Sequence, residues 1–249
     1  MIMVFINWVL KLRFHRIALA VIYGFLTKPI LAEESTEHLF GNWTNLNVNG
    51  HFGKDSPWLY MASLSVRTTQ TTRDSQMSQD YLLSGIVNQD AFGYRFDEHH
   101  SVYVGYAFQY TTPPLARQDT TENRAWEQYT FAMPTSAGKL QLRSRLEQRT
   151  VNIGPGASIR FRELIGLNYP LNKFWSLIAS NEAFINLNTV DWGPVGGFDQ
   201  NRLFLGVGYQ LNSIFRTEIG YMNQYIDRDL AYNRVFHLVN LNFVIDIPD

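Results

Sequence analysis

Charged side chains recur at every second position in the second half of this chain. Arg143, Arg145, Glu147 and Arg149 alternate with residues such as Leu142 and Leu146. Guanidinium groups bind phosphate or carboxylate through paired hydrogen bonds, and they also pair with glutamates on neighbouring strands. The pattern therefore predicts either an ion-pair ladder that fills the protein interior or a lining that passes or binds anions. The candidate residues are Arg143, Arg145, Glu147, Arg149, Arg160, Arg162, Glu182, Arg202, Arg216 and Glu218.

The elements that must position these residues are β-strands. From about Thr44 onward, stretches of about ten residues alternate apolar and polar side chains and end in turns. In the run around Leu203–Leu211, for example, the leucines, valine and tyrosine alternate with Arg202, glycines and Gln210. The longest run, Gln79–Phe96, changes phase near Gln89-Asp90 and so predicts a bulge or a break.

These strands predict a barrel with an apolar outer wall in lipid and a polar lumen. An arginine that faces lipid near the bilayer midplane costs about 2–4 kcal/mol, so the charged faces must point inward. Glu163 departs from this phase, and we expect a local bulge or a position above the apolar band there. The prediction is an all-β, antiparallel, up-and-down transmembrane β-barrel. Some eleven strands are visible, but the even counts usual in bacteria favour about twelve, with ten as the alternative.

The first 32 residues predict an export signal. A basic cluster at Lys11–Arg16 precedes the apolar segment Ile17–Phe25, and Ala32 is a plausible cleavage site. A membrane anchor is the alternative, although no continuous apolar run reaches about 18 residues. The predicted organisation is a signal peptide (1–32), a short periplasmic leader (33–39) and a single barrel domain (40–249). The predicted location is the outer membrane of a Gram-negative bacterium.

The composition agrees with an exported barrel. The net charge is -1, which gives no basic surface for nucleic acid. Cysteine is absent, so strand pairing rather than disulfides must hold the fold. The partners expected are outer-membrane lipids and the barrel-insertion machinery, with no nucleic acid; the sequence leaves the oligomeric state open.

Catalytic patterns are weak. A serine–histidine site is conceivable between His51 and Ser63 or Ser65 on the facing strand, but no Gly-x-Ser-x-Gly elbow is present. The adjacent His99-His100 pair lacks the spacing of metal ligands. The sequence predicts no catalytic residue, metal site or cofactor. A structural barrel or a narrow passage for small polar or anionic solutes is favoured. A lipid-modifying outer-membrane enzyme and an exported soluble β-rich binding protein are the alternatives.

Five blocks of the chain carry a family resemblance. They are Val104–Ala107 after Gly93–Phe96, Glu122–Gln128, Leu142–Arg149 with Arg160–Arg162, Phe198–Gly206 and Glu218–Tyr225. Together they resemble the family called "domain of unknown function 2490", whose members are regarded as probable bacterial outer-membrane barrels. The resemblance spans about residues 40 to 245. It implies export, a barrel and a membrane location, and it implies no activity, substrate or catalytic residue.

Overall fold

The computed structural model describes residues 36–73, 76–228 and 233–248, with residues 71–81 described by their backbone alone. The chain divides into two units, Met1–Thr36 and Glu37–Asp249, and the second contains the barrel. The predicted signal peptide and its cleavage near Ala32 lie outside the described residues. Within those residues, no helix has the length and apolar character needed to cross a membrane.

The described residues form eleven β-strands, most of them 12–17 residues long. Strand β1 begins at Thr36, within the stretch predicted as a leader. The strands are β1 (Thr36–His51), β2 (Trp58–Arg73), β3 (Gln76–Arg95), β4 (His100–Thr111), β5 (Thr120–Thr135), β6 (Gly138–Val151), β7 (Gly154–Pro170), β8 (Trp175–Asn186), β9 (Gly197–Gln210), β10 (Phe215–Ile226) and β11 (Asn233–Asp246).

Each strand pairs antiparallel with the next along the chain, and β1 closes the barrel against β11. The predicted all-β, up-and-down barrel is confirmed. Eleven strands are present in the described residues, against the twelve expected from parity. An odd number makes β1 and β11 run in the same direction, as contacts from Asn45 to Asn240 and from Asn49 to Asp246 and Ile247 show.

The phase change expected near Gln89-Asp90 lies elsewhere. Strand β3 is continuous through these residues, which pair in register with Ser63 and Ala62. The register shifts where Arg67 pairs with Gly85 and Thr68 with Leu83, so that Ser84 is the extra residue of a bulge. The Ser84 hydroxyl is buried against that of Thr69 at 2.7 Å. This hydrogen bond satisfies the polar side chain that the bulge brings inward.

The alternation separates an apolar outer face from a mixed inner face. Outward side chains such as Leu64, Val104, Leu205 and Val239 are exposed. The interior contains an apolar cluster contributed by β1 and β9–β11. Its buried members are Leu39, Trp43, Phe204, Met222, Phe236 and Leu238, and Leu115 from the 112–119 loop packs against them.

The two rims of the barrel differ. The C-terminal rim, where β11 ends, carries the turns 52–57, 96–99, 136–137, 171–174 and 211–214. The N-terminal rim, where β1 begins, carries the longer loops 112–119 and 187–196. There Arg234 donates a 2.7 Å hydrogen bond to the Pro114 carbonyl and pairs with Glu37. These contacts fix the 112–119 loop against the wall of the barrel.

Candidate functional site

Strands β5–β9 place a network of arginines and carboxylates inside the barrel. Alternation along β6 points Arg145, Glu147 and Arg149 inward, and all three side chains are buried. On the neighbouring strand β7, Arg160 is registered opposite Glu147 and Arg162 opposite Arg145. Cross-strand neighbours lie about 4.5–5.5 Å apart at Cβ, so long side chains of opposite charge reach each other readily. The strand pattern itself therefore brings these charges together.

Glu147 is the centre of the network. Its side chain is 1% exposed, and both carboxylate oxygens accept hydrogen bonds. Arg160 donates from Nε and Nη2 to Oε2 at 2.9 and 2.6 Å, and Arg162 donates from Nη1 to Oε1 at 2.6 Å. Arg145 Nη1 lies 3.9 Å from the same Oε1. A buried carboxylate is tolerated only with such pairing, because desolvation costs several kcal/mol per ion.

Three further carboxylates extend the network along the barrel: Glu182, Glu122 and Asp199, the last 3.4 Å from Arg160 Nη1. Glu182 on β8 accepts a 2.8 Å hydrogen bond from Arg162 Nε and is bonded to Arg143. Arg202 on β9 lies 4.0 Å from the other oxygen of Glu182. Each of these arginines comes from a different strand, so the Glu182 carboxylate ties β6, β7 and β9 to β8.

Glu122 on β5 holds the N-terminal end of the network. It accepts hydrogen bonds from Arg124 Nε and Arg149 Nε, both at 2.5 Å. Arg124 also donates to Gln109 at 2.7 Å, which extends the network to β4. Glu122 and Arg124 are not among the residues predicted from the sequence. Glu122 and Arg124 lie an even number of positions from Gln128, so all three point to the same face of β5. That alternation was the sequence signal from which the two residues could have been predicted.

Aromatic rings fill the space between the guanidinium groups. Three guanidinium groups lie over the buried ring of Phe184. The guanidinium carbons of Arg162 and Arg202 are each 4.5 Å from the ring centroid, and that of Arg160 is 5.1 Å from it. Arg145 lies 3.9 Å over Trp126. Trp126 pairs with Gly105, where a Cβ atom would come within 2.3 Å of the indole. Glycine at that position is therefore required by the ring.

Several contacts cross the interior rather than following the wall. Arg145 on β6 donates a 2.9 Å hydrogen bond from Nη1 to Gln89 on β3. Arg202 on β9 reaches the ring of Trp43 on β1, with a distance of 4.9 Å to the centroid. Strands β3 and β6 are three apart around the barrel, as are β9 and β1. At this level, side chains from strands that are not neighbours meet inside the barrel.

Among the described side chains of this interior, arginines outnumber carboxylates. Eight guanidinium groups lie among four carboxylates: Arg67, Arg124, Arg143, Arg145, Arg149, Arg160, Arg162 and Arg202 with Glu122, Glu147, Glu182 and Asp199. Two predicted members, Arg216 and Glu218, lie apart from the others near the C-terminal rim. They pair with each other at 2.9 Å, and Arg216 is 3.8 Å from Asp246.

Glu163 faces outward without the expected bulge. The pairing of β6 with β7 is continuous there, with Glu163 opposite Ser144. The Ser144 hydroxyl donates a 2.6 Å hydrogen bond to the Glu163 carboxylate. A second outward acid, Glu127, accepts a 3.0 Å hydrogen bond from Gln148. Local pairing on the outer face therefore compensates the outward carboxylates.

The histidine–serine arrangement considered from the sequence is not assembled. His51 pairs with Leu59, whereas Ser63 pairs with Asn47 and lies four residues further along β2. At about 3.3 Å per residue this separation is roughly 13 Å. The His51 ring contacts the Ser56 carbonyl at 3.2 Å instead. Among the described residues, no group of three or more His, Asp or Glu side chains is placed to hold a metal ion.

The fold and interior define a closed β-barrel with an apolar outer wall and an arginine-rich, ion-paired lumen. The chain belongs to the family described as "Protein of unknown function (DUF2490)", whose model matches residues 40–234. It is similar to an uncharacterized protein of Methylorubrum extorquens, with 30% identity over 208 residues covering 82% of this chain and 86% of that protein. No solved structure matches the chain.

Proposed function

We propose that this protein is an outer-membrane β-barrel whose role is structural, with a lumen closed by its own side chains. The observation that carries the proposal is a distribution of polarity that is the reverse of that in a water-soluble protein. The outer wall is mostly apolar, while the interior contains ion pairs centred on Glu147 beside one apolar cluster. Lipid around the barrel explains the first feature. A closed lumen explains the second, since contacts such as that of Arg145 with Gln89 join side chains from strands that are not neighbours.

Aromatic side chains near the C-terminal rim support a membrane boundary at that level. Phe52, Trp58, Phe92 and Tyr94 form one group of contacting rings. Trp175 packs against Tyr209, and Phe215 stacks on Phe243. Outer-membrane barrels place such girdles where the chain passes from hydrocarbon to headgroups. In this proposal the N-terminal segment is an export signal, and lipids and the barrel-insertion machinery are the partners.

Fractionation and bilayer recordings test the two parts of the proposal. The protein should stay in the outer-membrane fraction after a carbonate wash and should migrate faster on gels when it is not boiled. Extraction by carbonate alone would contradict the membrane location and favour a soluble barrel. For lumen closure, purified protein in planar bilayers should show no stable conductance across voltages.

A narrow passage for small anions is the second candidate, because the interior has more guanidinium groups than carboxylates. Arginine rings in pores favour anions. Steady conductance with anion preference would establish this function and would contradict the closed-lumen proposal. The outer-membrane location would stand in either case.

A further inference from the structure

Arg67 on β2 differs from the other interior arginines because no carboxylate pairs with it. Its guanidinium has no hydrogen bond or ion pair with any residue that the structure describes, and its Nε is buried without a partner. The guanidinium of Arg67 lies over the ring of Trp43, and its central carbon is 4.0 Å from the ring centroid. Strand register explains this pair, because Arg67 lies directly opposite Trp43 on β1. Arg67 as a whole is half-buried, but a donor such as its Nε that is withdrawn from water without an acceptor is energetically costly.

Further donors without acceptors surround the same ring. The Trp43 side chain is 4% exposed, yet its indole N–H has no hydrogen-bond partner among the described residues. Arg202 lies 4.9 Å from the Trp43 centroid, and its Nε is also buried without a partner. Its remaining polar contacts are long: 3.3 Å to Gln200 and 4.0 Å to Glu182. Buried donors are normally satisfied, so this concentration indicates a missing acceptor.

We propose that Arg67, Arg202 and the indole N–H of Trp43 form a binding site for a phosphate-class oxyanion inside the barrel. Both guanidinium carbons lie close to the Trp43 ring centroid, at 4.0 and 4.9 Å, so in this proposal one anion beside the ring binds both cations. The buried hydroxyl of Ser65, two residues before Arg67 on the same face of β2, lacks a partner in the described part of the chain and is a further donor.

A dianion with several acceptor oxygens fits these donors better than a carboxylate. The surrounding interior already contains more cations than carboxylates, so the compensating charge must be negative. Separated donors on β1, β2 and β9 require acceptor oxygens that point in several directions, as in phosphate. Arginine is suited to this because its fork of N–H groups matches phosphate geometry. The phosphate belongs either to free inorganic phosphate or to a lipid headgroup.

The position of the site agrees with entry from the N-terminal rim. Arg67 pairs with Gly85, which in turn pairs with Thr111 at the start of the 112–119 loop. Leu115 from that loop packs against the apolar cluster that contains Trp43. The loop therefore lies next to the site, and Arg202 links the site to the Glu147-centred ion pairs through Phe184 and Glu182.

Isothermal titration calorimetry of the full chain in uncharged detergent tests the proposal. Inorganic phosphate and a short-chain phosphatidic acid are the two probes, and acetate is the carboxylate comparison. We expect binding of at least one phosphate probe in preference to acetate. Arg67→Gln should weaken it about tenfold or more, as expected when a charge-assisted bidentate contact is lost. Arg216→Gln, which removes an arginine that already has carboxylate partners, should bind like the wild type.

A second variant keeps the test decisive if Arg67→Gln does not fold. Trp43→Phe retains an aromatic face for Arg67 but removes the indole N–H, and we expect weaker phosphate binding with the unboiled gel mobility unchanged. Phosphate should also raise the Tm of the wild type and not of the variants. Binding of only one probe would identify the source of the phosphate group. No binding of either probe, equal acetate binding, or binding that is unchanged in both variants would overturn the proposal.

Discussion

Arg145 donates a hydrogen bond to Gln89 across the interior of the barrel, from β6 to β3, at 2.9 Å. The same guanidinium stacks 3.9 Å over Trp126 and donates to Gln128 at 2.9 and 2.6 Å. A single side chain thus joins two strands that are three apart around the barrel and packs against the ring beside it. The proposed closure of the lumen can therefore be tested at an identifiable side chain.

Shortening Arg145 should make the lumen leaky. Arg145→Ala removes the bridge to Gln89 and leaves a void beside Trp126, so we expect intermittent conductance in planar bilayers where the wild type shows none. Arg216→Ala is the matched control because that side chain lies near the C-terminal rim and crosses nothing. If Arg145→Ala is as silent as the wild type, other side chains close the lumen and Arg145 is not essential for closure.

Glu147 should dominate the stability of the interior. Glu147→Gln removes the charge that compensates Arg160 and Arg162, and breaking a buried ion pair from one side costs about 3–5 kcal/mol. We expect the midpoint of urea unfolding to fall clearly. Tryptophan fluorescence and gel mobility measure this transition. The same substitution at the exposed turn residue Glu98 should change the free energy of unfolding by no more than about 0.5 kcal/mol. Equal midpoints for the two variants would contradict the central role of Glu147.

The β3–β4 turn should make a small, pH-dependent contribution to stability. Backbone N–H groups of His99 and His100 donate to the Asp97 carboxylate at 2.7 and 2.9 Å, and the His99 bond is the main reason that the Asp97 pKa is lowered. A carboxyl with a lowered folded-state pKa stabilises the fold above its unfolded pKa of about 3.9 and loses that effect as the pH falls through the folded value.

The comparison of wild type with Asp97→Ala therefore has a defined pH window. We expect the wild type to be the more stable at pH 7, and we expect the difference to shrink below about pH 4 as the carboxyl of Asp97 is protonated. Urea unfolding at a series of pH values measures this. A difference that grows on acidification would have the wrong sign and would refute the assignment.

The outward pair of Ser144 and Glu163 tests whether this wall faces lipid. Replacing both partners by apolar groups of suitable shape is nearly neutral or stabilising in general, and an outward carboxylate in lipid is unfavourable. We expect the Ser144→Ala/Glu163→Leu variant to be more stable than the wild type in lipid vesicles by up to about 2 kcal/mol. A variant that is more stable than the wild type in vesicles alone would support a lipid-facing wall. A variant that is less stable than the wild type in vesicles would indicate that this wall contacts water or protein.

The sequence alone was enough to predict the barrel and the sidedness of its strands. Alternation has a period of two in any extended chain, so Arg143, Arg145 and Glu147 share a face wherever β6 lies. Turn residues then divide the chain into strands and give an approximate count. The parity argument added a strand that the described residues do not contain, because the closure between β1 and β11 is parallel. The bulge predicted near Gln89-Asp90 lies instead at Ser84, between the apolar pairs Leu82-Leu83 and Ile86-Val87.

Only the tertiary structure decided which side chains meet across the lumen. Arg145 and Gln89 are 56 positions apart in the chain, and Arg202 and Trp43 are 159 positions apart. Closure of the barrel brings the two residues of each pair into contact. No local pattern encodes such a meeting, so Arg67 and Trp43 drew no attention in the sequence. Period-two alternation determined which way each residue points, because it follows from backbone geometry. The choice of partner depended on strand number and register, which are properties of the closed barrel.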